Sequence, residues 1–302
     1  MGSKNISTLI SDIESLFDNG TIFSDESISQ LGNQIGLEVL DRFKEYGIER
    51  QPTLSLSQIG KPLRQLWFQI KSGLRPEPLS ASTKFKLLYG NVLESLVIAL
   101  AIEAGHKVER LQDYVTVDGV GGHIDCLIDD YLVDVKSAST YSFQKFKSGS
   151  IRTDDTFGYI GQLAGYSTAL GGKNGAFLAI DKTLGHLCLC HFSKEELEKY
   201  DVHDKIRRTR ESLIHNAPPT EYCYAPVSEG KSGNERLAVG CSYCSHKFNC
   251  WKDANEGRGL IGYHYASGPI WFTTIAKEPR VNKVSTTEYN KVIDLSLIPS
   301  GR

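Results

Sequence analysis

The sequence has little sulfur and no long apolar run. One methionine and seven cysteines stand among 302 residues, and an odd count gives no closed set of disulfides. With no sign of secretion, these cysteines are expected buried or metal-bound in a cytosolic, reducing setting. No stretch approaches the roughly 20 apolar residues that cross a bilayer, because the apolar part of Leu87–Ala104 is broken by Asn91, Glu94, Ser95 and Glu103. The opening residues, MGSKNISTL, lack the basic and apolar regions of a secretory signal and miss the myristoylation pattern at Ile6. Charge of one sign is also missing. With 34 Lys and Arg against 36 Asp and Glu, the net charge is −2, which excludes a coat of positive charge but permits a local basic groove. What is present, 40% hydrophobic and 23% charged residues, excludes a disordered or collagen-like chain. A chain of this length buries about 75% of its unfolded surface and needs no disulfide scaffold.

Apolar spacing predicts helices over Ile6–Phe17 and Ser24–Tyr46, and Pro52 breaks the pattern. Basic and aromatic residues interleave in Lys61-Pro62-Leu63-Arg64-Gln65-Leu66-Trp67, read as a short helix, before the turn Arg75-Pro76-Glu77-Pro78. A long helix is expected over Thr83–Ala104, stopped by Gly105. Strands then run from Val108 to Ala138, a helix over Thr156–Leu170, and strands over Ala176–Ile180 and Gly185–Phe192. Lys194–Asn216 reads as a basic helix, Cys223–Trp251 is Cys-rich, and the tail is rich in Gly and β-formers. No repeat recurs at a period of 20–50 residues. The order implies an α/β fold, a central sheet flanked by helices. Three regions are expected: an N-terminal helical region over 1–80, a core over 81–216, and a C-terminal segment over 217–302.

The most informative stretch runs from Gly121 to Lys136. Two β-forming runs flank Asp129-Asp130, and Asp tolerates the positive φ of a two-residue hairpin turn. That turn pairs Ile128 with Tyr131 and Leu127 with Leu132, and carries Asp125 opposite Asp134. Side chains alternate along a strand, so Lys136 shares the face of Asp134. Like charges facing each other cost roughly 0.2–1 kcal/mol, and a divalent cation would offset that cost. The plain alternative is a solvated acidic face screened by Lys136.

Asp125, eight residues, then Asp134-Val135-Lys136 resembles the PD-(D/E)XK nuclease signature in its RecB-like and phage-exonuclease form. Gly122-His123-Ile124-Asp125 is similar to that family's Gly-x-x-Asp motif and Gly90-Asn91-Val92-Leu93-Glu94 to its Gly-x-x-x-Glu helix. Gln162-Leu163-Ala164-Gly165-Tyr166 matches the Gln-x-x-x-Tyr motif, and Ser57–Trp67 resembles the basic-aromatic opening segment. The resemblance spans roughly Ser55–Trp251, about two-thirds of the chain, with Asp134 the less common choice of second acid. It implies a restriction-endonuclease-like core and metal-dependent hydrolysis of DNA phosphodiesters. Glu94, Asp125, Asp134 and the Val135 carbonyl would hold Mg²⁺ or Mn²⁺, and Lys136 would orient the attacking water. Gln162 and Tyr166 would position the strand. Lys61 and Arg64, with Lys84 and Lys86, are candidate phosphate contacts, and Trp67 and Phe68 candidate stacking groups. The resemblance favours an exonuclease acting on linear DNA with a free end, in a bacterial or phage-infected cytoplasm. The rival is a non-catalytic DNA-binding module of CRISPR or repair systems on a nuclease fold, which the intact acid–acid–Lys set disfavours.

Cys241-Ser242-Tyr243-Cys244 followed by Cys250 is an unusual triple in a chain with so few cysteines. The same spacing closes the iron–sulfur cluster of RecB-like nucleases, but no cysteine precedes Cys126 here. Cys223 is therefore the best-placed fourth ligand, with His246 a weaker substitute. Tetrahedral Zn²⁺ and a [4Fe–4S] cluster both suit such a set, and either would act structurally. Cys188 and Cys190 share one strand face and are expected to be buried thiols. His123 stands near Asp125, as a substrate contact or a local hydrogen-bonding group.

Overall fold

Asp129 and Asp130 both adopt positive φ, 49° and 69°, and close a tight hairpin. The strands they join pair Ile128 with Tyr131, Leu127 with Leu132 and Cys126 with Val133, the register expected from sequence. The structure, a computed structural model, describes residues 4–20, 23–45, 52–266 and 268–285. Within these the chain forms α1 (Leu9–Asp18), α2 (Asp25–Glu45), α3 (Leu63–Ile70) and α4 (Ala81–Glu103). There follow β1 (Val108–Glu109), β2 (Tyr114–Val117), β3 (Val120–His123), β4 (Cys126–Ile128) and β5 (Tyr131–Ala138). Next come α5 (Thr140–Ser148), α6 (Tyr159–Ala169), β6 (Gly175–Asp181), β7 (Leu187–Phe192), α7 (Lys194–Glu198) and α8 (Val202–Ile214). The rest comprises β8 (Val227–Ser228), β9 (Glu235–Arg236), α9 (Val239–Ser242), α10 (Lys247–Cys250), α11 (Ala254–Gly257), β10 (Ile261–Tyr265) and β11 (Gly268–Thr274).

The described residues divide into two units, one drawn from Met1–Gly60 and Ser80–Ile206, the other from Lys61–Leu79 and Arg207–Arg302. The first holds a five-stranded mixed sheet of order β1-β4-β5-β6-β7. Only β5 and β6 run parallel, and α5 and α6 supply the long crossover that parallel neighbours need. One sheet face carries Leu132, Ala138 and Phe177 against Phe143 and Phe146 of α5 and Leu163 and Tyr166 of α6. The opposite face carries Val133, Val135 and Leu178 against α1 and the Val97, Ile98, Leu100 and Ala101 turns of α4. Each such apolar side chain contributes roughly 1.5–3 kcal/mol when fully buried. Asp134 and Lys136 have the strand parity of Leu132, so they lie toward α6 rather than α4.

Four details depart from the sequence expectations. An 18-residue window of the 23-residue α4 helix averages hydropathy 1.6 and has the length and composition of a membrane span, as core helices also can, where the sequence reading finds no long apolar run. In the first unit it packs on the sheet. The helix expected from Thr156 starts at Tyr159, because the Asp155 carboxylate accepts the backbone N–H groups of Gly158, Tyr159 and Ile160. The expected helix over Lys194–Asn216 divides into α7 and α8. Ser193 and Glu196 form a capping box on α7, Tyr200 donates its hydroxyl to the Ile59 carbonyl, and the Asp201 carboxylate caps α8 at Asp204. Finally α5, absent from the sequence reading, is a short polar helix started by the Ser139 hydroxyl and stopped by Gly149 at φ 75°. The Gly60 backbone passes so close to Gly158 that a Cβ there would sit 1.9 Å from the Gly158 oxygen.

The second unit combines α3 with an antiparallel sheet of order β10-β11-β9-β8. Its core gathers Leu237, Cys241, Phe248, Trp251, Ala254 and Leu260.

Candidate functional site

Asp134 is buried in the middle of β5, 1% exposed. The Lys136 ammonium forms an ion pair with it, and Gln162 of α6 donates Nε2 to its Oδ1 at 3.0 Å. Tyr166, one helical turn on, hydrogen-bonds the Gln162 side chain and is itself buried. A Cβ at Gly122 would come within 2.8 Å of the Tyr166 ring, so the glycine of Gly-x-x-Asp makes room for the tyrosine. Burial would push the Lys136 ammonium down, but the Asp134 and Asp125 carboxylates outweigh it and hold the pKa well above the ordinary value. Lys136 therefore stays cationic.

Asp125 ends the opposite strand. Its Oδ2 accepts the Val135 backbone N–H at 2.7 Å, which ties it to β5 just past the ladder's last pair, Cys126 with Val133. Val135 itself points its side chain into the opposite core. Glu94 projects from α4, where Gln112 donates Nε2 to its Oε1 at 3.0 Å. Gln112 escaped the sequence reading. It adopts φ 54° in the β1–β2 loop and gives its backbone N–H to the Asp125 carbonyl at 3.1 Å, so one residue touches two of the three acids.

Burial raises all three carboxyls, and repulsion adds to it for Glu94 and Asp125. Glu94 is pushed up to about 7, first by burial and then by the Asp134 charge, against the pull of Lys136 and Gln112. Asp125 lies well above the carboxylate range through burial and the charges of Asp134 and Glu94. Asp134 is raised by burial, with Lys136 opposing. Three acids against one ammonium leave an excess of negative charge in a desolvated place, and the donors are all hard oxygens. That chemistry suits Mg²⁺ or Mn²⁺. The expected metal set is not closed around one point, however. Among the described residues no three His, Cys, Asp or Glu side chains are grouped so as to hold a metal ion.

The residues expected at DNA turn inward. The Trp67 indole is 7% exposed and donates Nε1 to the His215 carbonyl at 3.0 Å, so it is core and offers no face to a base. Phe68 is equally buried. Arg64 spends its guanidinium on the Cys250 sulfur and carbonyl and on the Pro219 carbonyl, and it stacks over Tyr222. Lys61 stands beside Cys244, and burial lowers its pKa. These corrections share one cause: helix α3 belongs to the second unit's core. Lys86 is exposed at the start of α4, and His123 is exposed with its ring 5.1 Å from that of Tyr114.

Cys223, Cys241, Cys244 and Cys250 line one small cavity with Trp251 and Phe68. Burial pushes the Cys223 thiol up to about 12 and the neighbouring thiols add to it; Cys241 rises to about 11 by the same causes. The four sulfurs thus converge, Cys223 included, though they too are not drawn around a single point. His246 does not line this cavity. Its buried ring stacks on Phe68, and burial pushes its pKa down to about 4. Cys188 is half-buried and Cys190 buried.

No family model and no curated protein matches the sequence. Among solved structures the chain is similar to the alkaline exonuclease LHK-Exo of Laribacter hongkongensis, at 16% identity over 52% of this chain and 91% of that one, with TM-score 0.33. The complex of LHK-Exo with dAMP gives 17% identity, 53% and 92% coverage and TM-score 0.33. The structure of SSO0001 gives 14% identity, 70% and 92% coverage and TM-score 0.41. Likenesses of this size leave the chemistry to the residues themselves.

Proposed function

We propose that the chain is a divalent-metal-dependent deoxyribonuclease of the PD-(D/E)XK type, in its RecB-like branch, which degrades linear DNA from an end in the cytoplasm. One observation carries the reading: buried Asp134 is paired with Lys136, and Asp125 is tied to the next residue of the same strand, while the Asp134 charge raises both Glu94 and Asp125. A solvated acidic surface would show neither the burial nor the shifts. Glu94, Asp125 and Asp134, with the Val135 carbonyl, would hold Mg²⁺ or Mn²⁺. When bound, the ion supplies Lewis-acid polarisation of the scissile phosphate and a more acidic water. In its presence all three acids could be ionised together.

The side chains of this chain do the remainder. Lys136, permanently cationic, orients the attacking water and offsets negative charge that grows at the phosphate. Gln162 holds Asp134 and would position the strand, with the buried Tyr166 bracing Gln162. Gln112 fixes Glu94 relative to Asp125. The four cysteines are proposed to bind one further centre, zinc or iron–sulfur, within the second unit, where their raised thiol pKa values mean that binding must release protons. Labelled linear DNA incubated with Mg²⁺, Mn²⁺ or EDTA tests the reading. Degradation in either metal and none in EDTA is expected, and intact DNA throughout would contradict it.

A further inference from the structure

A cavity of about 390 Å³ opens between α2 and α4 in the first unit, and Glu94 forms part of its wall. Its size lies in the range of small-ligand sites. Leu31, Ile98 and Leu111 give it apolar sides, while Gln30, Gln34 and Gln112 add carboxamides. Glu38 and Glu103 complete the acidic part of the lining, and no Lys, Arg or His is among the lining residues. A phosphate would be repelled here. A flat, uncharged ring with an amino group at its edge would be held, because carboxylates and side-chain amides accept from such donors on adenine, cytosine and guanine. Thymine has no exocyclic amine and sets its single ring N–H between two carbonyls, which the carboxylates repel. Glu38 is already oriented for the task, since Gln34 donates to its Oε1 at 3.1 Å and Asn91 to its Oε2 at 3.3 Å. Each oxygen keeps a second lone pair for a ligand.

We propose that this cavity receives the nucleobase next to the scissile phosphate and prefers bases with an exocyclic amine, such as adenine and cytosine, over thymine. The assignment rests on the nuclease reading for the place of the phosphate, beside Glu94. The base would be unpaired when it enters, since its hydrogen-bonding edge faces the wall. Unstacking a terminal base costs a few kcal/mol at most, and a DNA end presents the least costly case.

The test separates binding from cleavage. Deoxyadenosine, deoxycytidine and thymidine are titrated against the metal-free full chain by saturation-transfer NMR. Deoxyadenosine and deoxycytidine should bind, and thymidine should bind about tenfold more weakly. Ala99→Phe, which fills the cavity from α4, should abolish binding, and Leu111→Trp in the exposed loop does the same service if the helix variant fails to fold. On linear DNA with Mg²⁺, either variant should raise KM about tenfold and leave kcat within about twofold. No nucleoside binding by the unaltered protein, or equal binding by a folded cavity-filled variant, overturns the proposal. A protein that binds deoxyadenosine but leaves DNA intact supports the pocket and contradicts the nuclease reading.

Discussion

Gln162 donates its side-chain amide to Oδ1 of Asp134 at 3.0 Å, joining helix α6 to the central strand at its most buried acid. Lys136 forms an ion pair with the same carboxylate, so Asp134 is held from the helix and from its own strand. A site fixed by its own packing before a ligand arrives loses little order when one binds. The three carboxyls remain costly to ionise together until positive charge is added.

Gln112 is the support on the other side. Changing Gln112→Leu removes the bond to Glu94 and keeps the backbone bond to Asp125. Second contacts of this sort typically alter metal affinity by about 10–100-fold. The Mg²⁺ concentration for half-maximal cleavage should rise within that range, with the circular dichroism spectrum unchanged. An unaltered metal requirement would show that Gln112 merely fills space.

Stability in EDTA should depend on pH in a stated direction. A carboxyl raised to about 7 from 4.5, as Glu94 is, favours folding while protonated. Its contribution is full below 4.5 and is lost as pH rises toward 7. Asp125 and Asp134, also raised, act in the same sense from 3.8 upward. The Glu94-dependent part of the metal-free protein's stability should therefore be lower at pH 8 than at pH 5, by on the order of 3 kcal/mol, while buried His246, lowered to about 4, acts in the opposite sense. Glu94→Gln should flatten that slope, and Mg²⁺ should restore stability at pH 8. A Glu94→Gln slope equal to the unaltered protein's would contradict the charge account.

The cysteine cavity gives an independent prediction. Purified protein should carry about one centre per chain beyond the catalytic ions, lost when Cys241 and Cys244 are both changed to Ser. Broad absorbance near about 400 nm identifies iron–sulfur. A colourless protein with zinc by elemental analysis identifies Zn²⁺. Neither metal would leave four thiols packed in a small apolar cavity.

Much of the site could be read from the chain because it is local. The turn residues fixed the register of the hairpin, and strand alternation put Asp134 and Lys136 on one face. Gln162 and Tyr166 came from the resemblance to the Gln-x-x-x-Tyr motif, and helical spacing only put them on one face. Cys223 entered only as the best-placed fourth partner for the family's cysteine spacing; the four cysteines line one cavity, but no metal-holding group is formed among the described residues. What stayed hidden depends on tertiary context. Arg64 and Trp67 have the composition of a DNA-contacting helix, yet α3 packs them against the second unit. Nothing periodic marks Gln112, whose role comes from an irregular loop with positive φ at Arg110 and Gln112. Asp155 and Asp201 also went unread as helix caps, though they give α6 and α8 their beginnings.

End dependence follows from the resemblance of Gln162 and Tyr166 to the RecB-like motif. Linear DNA should be consumed, and a covalently closed single-stranded circle should survive under the same conditions. Efficient cutting of the circle would identify an endonuclease instead.

The central claim is that Asp134 and Lys136 act together in metal-dependent cleavage. Asp134→Asn keeps the shape and the bond to Gln162 but removes the charge, and Lys136→Ala removes the ammonium. The initial rate on end-labelled linear DNA in Mg²⁺ should fall by at least about a hundredfold in each variant, with folding intact by circular dichroism. Undiminished cleavage by both folded variants would contradict the account.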